Sequence, residues 1–416
     1  MKQKRLKTIV IGGGAAGLMA AGRAAECGAQ VLLFEKMGRT GRKIGISGKG
    51  RCNLTNSAPL PEILPHFGRN GKFLRQCFDT FFTEDLIAFF EDKGLALVTE
   101  RGGRVFPKSG KALDVVRVLN RWLSRQRVSV KTDSPVTSII VQDRKVTGVL
   151  CRGKEISTDA VILATGGKSY PRTGSTGDGY RLAAEVGHTL TPLRPALVPL
   201  ECRDSEISRL TGLNLRNINV RMYINGKRKG QEFGEVSFTG STIGGPVILT
   251  MSRAIVNYLE RKDRVSLSID LKPGLDDKQL AGRLIRDFKN RGGEPVSSLL
   301  RGLIPYQLVD FCLQSCKIPA DIDTQNFPAA MRKRLAVWLK DFRFEICGYR
   351  GFNKAIVTSG GISLKEINPR TMESRLVERL FIVGELLDIQ GDTGGYNLQA
   401  AFSTGWLAGS SLNILK

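Results

Sequence analysis

The chain has 416 residues, 41% hydrophobic and 7% aromatic, with 63 Lys and Arg against 39 Asp and Glu and a formal net charge of +24 at pH 7. Single hydrophobic cores stop growing near ~250 to 300 residues, so two or three domains are expected. No apolar run approaches the ~20 residues that span a bilayer. Eight cysteines without a C-x-x-C pair, with His66 and His188 the only histidines, leave almost no material for a zinc site, so neither a membrane helix nor a metal is expected.

The charge is uneven: residues 1–192 carry 31 basic and 16 acidic side chains, residues 193–345 carry 25 and 17, and residues 346–416 carry 7 and 6. A solvated face is the ordinary reading of a basic stripe, but +24 in one chain tilts toward a polyanionic partner such as RNA. The scattered cysteines read as reduced thiols, Cys312 and Cys316 as a half-buried pair one helical turn apart, which implies a reducing, cytoplasmic setting. Lys2, Lys4, Arg5 and Lys7 before an apolar stretch imitate a signal peptide. Gly12 to Gly14 interrupt it and no clear cleavage site follows, so export is not expected.

The first element is a β-branched strand, Thr8 to Ile11, running into Gly12-Gly13-Gly14-Ala15-Ala16-Gly17 and an Ala-rich helix through Ala25. This is G-x-G-x-x-G in its proper setting. Gly12 allows the tight turn, Gly14 lets backbone N–H groups approach a pyrophosphate, and Gly17 lets helix and strand pack closely. The helix N-terminus adds partial positive charge. The second strand, Gln30 to Phe34, runs into Glu35 at about the ~20-residue offset expected of a ribose 2′-OH acceptor.

A Gly- and Arg-rich loop follows, Gly38 to Asn53, whose N–H groups and guanidinium forks suit phosphate or an electron-rich ring edge. Helices are predicted over about 72–93 and 111–126; in the second, Leu113, Val116, Leu119 and Leu123 should face inward and Arg117, Arg121 and Arg125 outward. Residues 128–150 read as a small sheet. Asp159 to Leu163 reads as a buried strand ending on Ala164-Thr165-Gly166-Gly167, with a helix after Thr176-Gly177-Asp178-Gly179. Residues 193–270 are rich in short alternating strands, among them Asn219 to Ile224 before an Asn225-Gly226 turn, and residues 275–342 look mainly helical. A second basic stripe is expected at Lys278, Arg283, Arg286 and Lys289. The boundaries predicted are a first nucleotide-binding segment 1–192, a β-rich insert 193–270 and 323–345, a helical insert 271–322, and a return segment 346–416, so one discontinuous domain is interrupted by the middle of the chain.

Gly41-Arg42-Lys43 with Ser47-Gly48-Lys49-Gly50-Arg51-Cys52-Asn53, Gly166-Gly167-Lys168-Ser169-Tyr170-Pro171, Thr371-Met372-Glu373-Ser374 and Gly391-Asp392-Thr393-Gly394-Gly395-Tyr396-Asn397 together resemble the HI0933-like flavoprotein family over essentially the whole chain. The start, the Leu163 to Gly167 strand end and Gly384-Glu385 are similar to FAD domains of the glutathione-reductase type. The resemblance implies an α/β fold: a discontinuous Rossmann-like FAD domain with an inserted β-barrel-like and helical domain. Lys49 stands where the family run would carry a third glycine.

A flavin, unlike a nicotinamide dinucleotide, must also be held along its ribityl chain and pyrimidine edge, and the C-terminal run can supply that second cradle. The implied cofactor residues are Gly12, Gly14, Ala15, Ala16, Gly17, Glu35 and Lys36 at the start, and Arg42, Lys43, Gly48, Arg51, Cys52 and Asn53 in the loop. Thr165, Gly166 and Gly167 follow, then Gly384, Glu385, Asp392, Gly394, Gly395, Tyr396, Asn397 and Leu398. A helix beginning near Asn397 would point its N-terminus at the flavin O2 region. No histidine sits in an attachment motif, so noncovalent FAD is expected. No second complete G-x-G-x-x-G follows a strand, so NAD(P)H would bind transiently as reductant.

Reduced flavin delivers hydride from N5, and saturating a polarised C=C bond also needs a proton donor, for which Cys52 and Tyr170 are the candidates. Three functions stay open: dihydrouridine synthesis in ribosomal RNA, which the resemblance implies and the charge suits; a small-molecule ene-reductase or amine oxidase; and a noncatalytic flavoprotein that binds RNA or ribosomes.

Overall fold

A computed structural model describes residues 5–412. Lys2 and Lys4 of the basic start lie outside the described residues. Among the described residues no helix is long and apolar enough to cross a membrane. The chain divides into two compact units, one from the segments ending at Pro195 and resuming at Phe352, the other spanning Ala196–Gly351.

The first unit is built on five parallel strands. Lys7–Ile11 lies at the centre, with Gln30–Phe34 and then Ser129–Lys131 on one side and Ala160–Leu163 and then Leu380–Ile382 on the other. All four residues of Ala160–Leu163 are buried, because a parallel sheet covered on both faces needs continuous rather than alternating apolar sequence. The chain changes direction across the sheet beside Lys7–Ile11, which opens a crevice at the carboxyl ends of the strands. The segment expected to form one small sheet is divided: Ser129–Lys131 joins the main sheet, whereas Val136–Gln142, Lys145–Cys151 and Lys154–Ser157 form an antiparallel meander leading to Ala160.

Two helices lie together in this unit, Ala15–Glu26 and Tyr396–Ser411. A methyl group added at Gly405 would lie 2.3 Å from the Ala16 carbonyl oxygen, and one at Gly409 2.8 Å from that of Ala20. The backbones therefore touch, which only glycine permits. Helix Ala112–Arg125 buries Val115, Val116, Val118, Leu119, Trp122 and Leu123. Leu113, expected inside, is 51% exposed; Ala112 and Val115 take the inward positions instead, which rotates the buried stripe. The Gly38 to Asn53 loop is partly helical, with Arg42–Ile46 following a left-handed Gly41. Lys49, where the family run would have glycine, holds φ +58°, a conformation that costs a side-chain-bearing residue roughly 1–2 kcal/mol.

The second unit contains a closed barrel of six strands: Leu200–Cys202, Thr242–Gly244, Lys227–Thr239, Asn214–Ile224, Val265–Asp270 and Phe342–Tyr349, in that order around the wall. Asn225 and Gly226, at φ +49° and +80°, make the tight turn of the longest hairpin. Helix Pro246–Glu260 lies within the segment read as rich in strands; its β-branched residues favour strand, but Pro246 at the first turn and burial of Val247, Ile248, Ile255 and Val256 favour helix. Residues 329–340 are helical, as the pattern over 275–342 indicates, although the boundaries put them in the β-rich insert, and only Phe342–Tyr349 of that stretch joins the barrel. Cys312 and Cys316 are both buried on helix Val309–Cys316, deeper than expected.

The Thr371 to Ser374 motif has a structural role in the first unit. Ser374 Oγ accepts from the N–H groups of Leu376 and Val377 at 3.1 and 3.0 Å, so its proton is left to donate to His188 Nε2 at 2.9 Å. His188 Nδ1 then carries the ring proton and donates to Glu366 Oε2 at 2.9 Å. Burial is the main cause pushing the His188 pKa down, against the opposing pull of Glu366. A folded-state pKa below the ~6.5 of a free imidazole means the unfolded chain takes up the proton first, so this stability is complete above about pH 6.5 and is lost as pH falls below it. Thermal denaturation should therefore show Tm falling between about pH 7 and about pH 5, and His188→Gln should flatten that decline; an equal decline in the variant would rule out the histidine as its source.

Candidate dinucleotide site

The crevice at the strand ends opens into a cavity whose lining runs from the Gly12 to Ala16 turn and Glu35 at one end to Gly384, Glu385 and Asn397 at the other. At one end, Gly12 holds φ +104° and a methyl group there would lie 2.6 Å from the Ala164 carbonyl oxygen, while one at Gly17 would lie 1.9 Å from that of Gly12. Gly14 differs: a methyl group there would meet nothing within 4 Å, because it faces the cavity. Gly12 and Gly17 thus serve packing, whereas Gly14 leaves open a cradle at the start of helix Ala15–Glu26. Glu35 borders the cavity, with its two carboxylate oxygens accepting from the N–H groups of Gly13 and Met37, each at 2.8 Å. Each oxygen keeps a lone pair for a ribose hydroxyl. Lys36 pairs with Asp178 at 2.5 Å.

At the other end, Glu385 Oε2 pairs with Lys43 Nζ at 2.7 Å, and its Oε1 accepts from Ser169 Oγ and Thr358 N–H, each at 2.8 Å. Lys43 also donates to Ser169 Oγ at 2.6 Å. Glu385 therefore fixes Lys43 and the Gly166 to Ser169 turn, with both oxygens already engaged by the protein. Gly384, at φ +70°, donates its N–H to Thr404 Oγ1 at 3.0 Å. Asn397 Oδ1 accepts from Gly391 N–H at 2.8 Å and its Nδ2 donates to Gly391 O at 2.9 Å, so its side chain closes the Gly391 to Gly395 loop. The backbone N–H groups of the first turn of Tyr396–Ser411, without partners further back in the helix, are left at the cavity edge beside Asn397 and Leu398.

Of the residues singled out from sequence, Gly12, Gly14, Ala15, Ala16, Glu35, Lys36, Arg42, Lys43, Thr165, Gly166, Gly384, Glu385, Asn397 and Leu398 border this cavity. Gly17, Gly48, Arg51, Cys52, Asn53, Gly167, Asp392, Gly394, Gly395 and Tyr396 do not. Arg51 turns away to pair with Glu100 at 2.5 Å and stack over Phe106. Gly394 and Gly395 serve the turn, where a methyl group at Gly395 would lie 2.4 Å from Thr55 O. Tyr396 stacks on His66, with ring centroids 4.1 Å apart, and His66 Nδ1 lies 3.0 Å from Asp392 Oδ2. Cys52 is wholly buried, and burial pushes its thiol up to about 12; it presents no face to the cavity in this conformation. Tyr170 is half-buried on a left-handed residue beside the Gly174 to Ser175 rim and does not line the cavity.

Sequence reasoning missed Ser134, Pro135 and Val136, which close the cavity just beyond the outer strand Ser129–Lys131. A Pro-containing turn after a third parallel strand was the available signal. It also missed Ile356 and Val357, which have no motif of their own.

The residues fit a bound dinucleotide. Besides the open cradle at Gly14, Thr165 borders the cavity with its Oγ1 buried and without a hydrogen-bond partner, as a polar atom awaiting a ligand or water would be. Gly14→Ala should leave Tm of the cofactor-free protein unchanged while reducing bound flavin, measured as flavin absorbance per protein. Gly17→Ala should lower Tm by itself. Equal effects on Tm would contradict the division of roles.

Comparison with known proteins gives a consistent result. The HI0933-like protein Rossmann domain family matches residues 6–411. The chain is 33% identical over 410 residues to the 3-dehydro-bile acid delta(4,6)-reductase of Clostridium scindens, covering 96% of this chain and 97% of that protein. It is 31% identical over 422 residues to the ribosomal RNA dihydrouridine synthase of Escherichia coli, covering 99% of both. A crystal structure of 3-ketosteroid delta1-dehydrogenase from Sterolibacterium denitrificans shares the fold at a TM-score of 0.54 and 14% identity, with 100% of both chains covered. The chain belongs to the HI0933-like family and is an FAD-dependent oxidoreductase.

Proposed function

We propose that this protein reduces the C5–C6 double bond of uridine in ribosomal RNA to dihydrouridine, drawing its electrons from NAD(P)H through noncovalently bound FAD in the cytoplasm. The names of both curated relatives denote chemistry at carbon–carbon double bonds, which supports the reaction class. The observation that carries the choice of substrate is the net charge of +24, for which an RNA backbone gives a physical reason and a small apolar substrate gives none.

In this reading the N-terminus of Ala15–Glu26 and the open face of Gly14 hold the pyrophosphate, and Glu35 holds the adjoining ribose. Bound FAD would supply the hydride. Glu385 and Ser169 keep Lys43 oriented at the ring end, and the first turn of Tyr396–Ser411 offers N–H groups and partial positive charge to a ring that gains electron density on reduction. Ile356, Val357, Leu387 and Ile389 restrict water there. With the Cys52 thiol shut in, the half-buried Tyr170, which stands beside the cavity rim and not on its lining, is taken as the group that delivers the proton.

A second reading, reduction of a small hydrophobic enone, is favoured by the 33% identity to the bile-acid enzyme and by those apolar walls. Nucleoside mass spectrometry of ribosomal RNA separates the two. Cells lacking the protein should lose a dihydrouridine that returns on expression of the wild-type chain or Cys52→Ala, but not of Tyr170→Phe carrying its full complement of FAD. Unchanged dihydrouridine in the deletion strain would overturn the RNA reading, and restoration by Tyr170→Phe would remove that residue from the proton step.

A further inference from the structure

Helix Ala112–Arg125 turns Arg117, Arg121 and Arg125 to solvent. Their four-residue spacing puts them in one line, about 6 Å apart along the axis. Lys108, Ser109, Asp114, Arg117, Asn120 and Arg121 border one open groove at the surface of the first unit. Asp114 is neutralised within it: it accepts from Ser109 Oγ at 2.6 Å and pairs with Arg117 at 2.7 Å, the first of these being the main cause holding its carboxyl below the ordinary range. Lys108, Arg121 and Arg125 have no ion pair among the described residues. Asn120 accepts from Thr40 Oγ1 at 2.9 Å, which leaves its amide NH₂ as a donor. That contact also ties the helix to the Arg39 to Arg42 segment, where Arg39, Gly41 and Arg42 border the cofactor cavity.

We propose that this groove and the arginine line are where single-stranded RNA docks, with successive phosphates held by Lys108, Arg121 and Arg125. The inference rests on the RNA reading above and gives it a location. Phosphate fits better than other anionic partners. A membrane-surface helix needs an exposed apolar face, and here that face is buried against the core. An acidic protein partner would want large aromatic or aliphatic anchors at the centre of the contact, whereas the apolar side chains that line the groove are the buried Leu95 and Val118 and the small Ala96, and its exposed long side chains are cationic. Leu113, the large exposed apolar side chain of the helix, lies at the end of the line against Gly45 rather than in the groove.

The test is fluorescence anisotropy of a short labelled uridine-rich RNA against the FAD-loaded protein over a salt series, comparing wild type with K108Q/R121Q/R125Q. Flavin absorbance and Tm monitor the fold. Loss of three phosphate contacts should weaken binding by about tenfold or more at fixed low salt and make the slope of log K against log salt less negative by about 2, at ~0.7 per single-strand contact. The charge-conserving variant R121K/R125K should retain most of the binding. Wild-type affinity and slope in the triple variant would overturn the proposal, as would selective loss of polyglutamate rather than RNA binding. Should the triple variant lose FAD, Lys108→Gln alone must still shift the slope by about 0.7, and an unchanged slope there rejects the surface. Loss of RNA binding in the triple variant, with no dihydrouridine formed by wild type, would keep the surface and reject the reaction; wild-type dihydrouridine formation with unchanged RNA binding would do the reverse.

Discussion

Backbone contact between helices Ala15–Glu26 and Tyr396–Ser411 is the constraint on which the cofactor site depends. Gly405 and Gly409 each cost about 1 kcal/mol in helix propensity relative to alanine, yet a methyl group at Gly405 would lie 2.3 Å from Ala16 O. The glycines are compatible with this helix because they allow close approach. With that approach, residues nearly 400 positions apart in sequence set two helix N-termini on one cavity. Hydrogen bonding of Gly384 to Thr404 then ties the turn after the last parallel strand to the second helix.

The same cavity separates packing from binding among residues that look alike in sequence. Gly12 and Gly17 are surrounded by backbone, while Gly14 faces open space. Lys43 and Glu385 are opposite charges held together, and Ser169 bonds to both. Their pairing leaves the helix N-termini and free N–H groups to meet the anionic parts of a dinucleotide. The charge of the surface and that of the cavity are therefore distinct: Arg121 and Arg125 are exposed and without ion pairs among the described residues, whereas Lys43 and Glu385 at the cavity are held as a pair.

What could be read from sequence was local geometry. The Gly12 to Gly17 turn, the buried strand ending at Leu163 and the helix starting at Tyr396 each follow from neighbouring residues and survive folding unchanged. What could not be read depended on distant contacts. Asn397 borders the cavity as expected, but that its amide also closes the Gly391 loop could not be read from sequence; Cys52 looks available until the core closes over it. Leu113 fits an inward stripe by periodicity, but burial of Ala112, Val115 and Trp122 rotates that stripe. Helix Pro246–Glu260 was hidden for another reason, since its β-branched residues suit a strand until tertiary burial decides. Nothing near Gly405 and Gly409 in sequence reveals their role, because their partners, Ala16 and Ala20, lie at the opposite end of the chain.

The central claim is that this helix contact assembles the FAD site, and the affinity of cofactor-free Gly405→Ala for FAD, measured by flavin fluorescence titration with Tm alongside, tests it most directly. Overpacking costs about 1–3 kcal/mol, and about 1.4 kcal/mol is tenfold in affinity. Gly282→Ala is the control, because a methyl group there would meet only the end of the Arg286 side chain at 3.6 Å. The account predicts FAD affinity weaker by about tenfold or more and a lower Tm for Gly405→Ala, despite its better helix propensity, with no loss of affinity in the control. Wild-type FAD affinity together with a raised Tm in Gly405→Ala would contradict it.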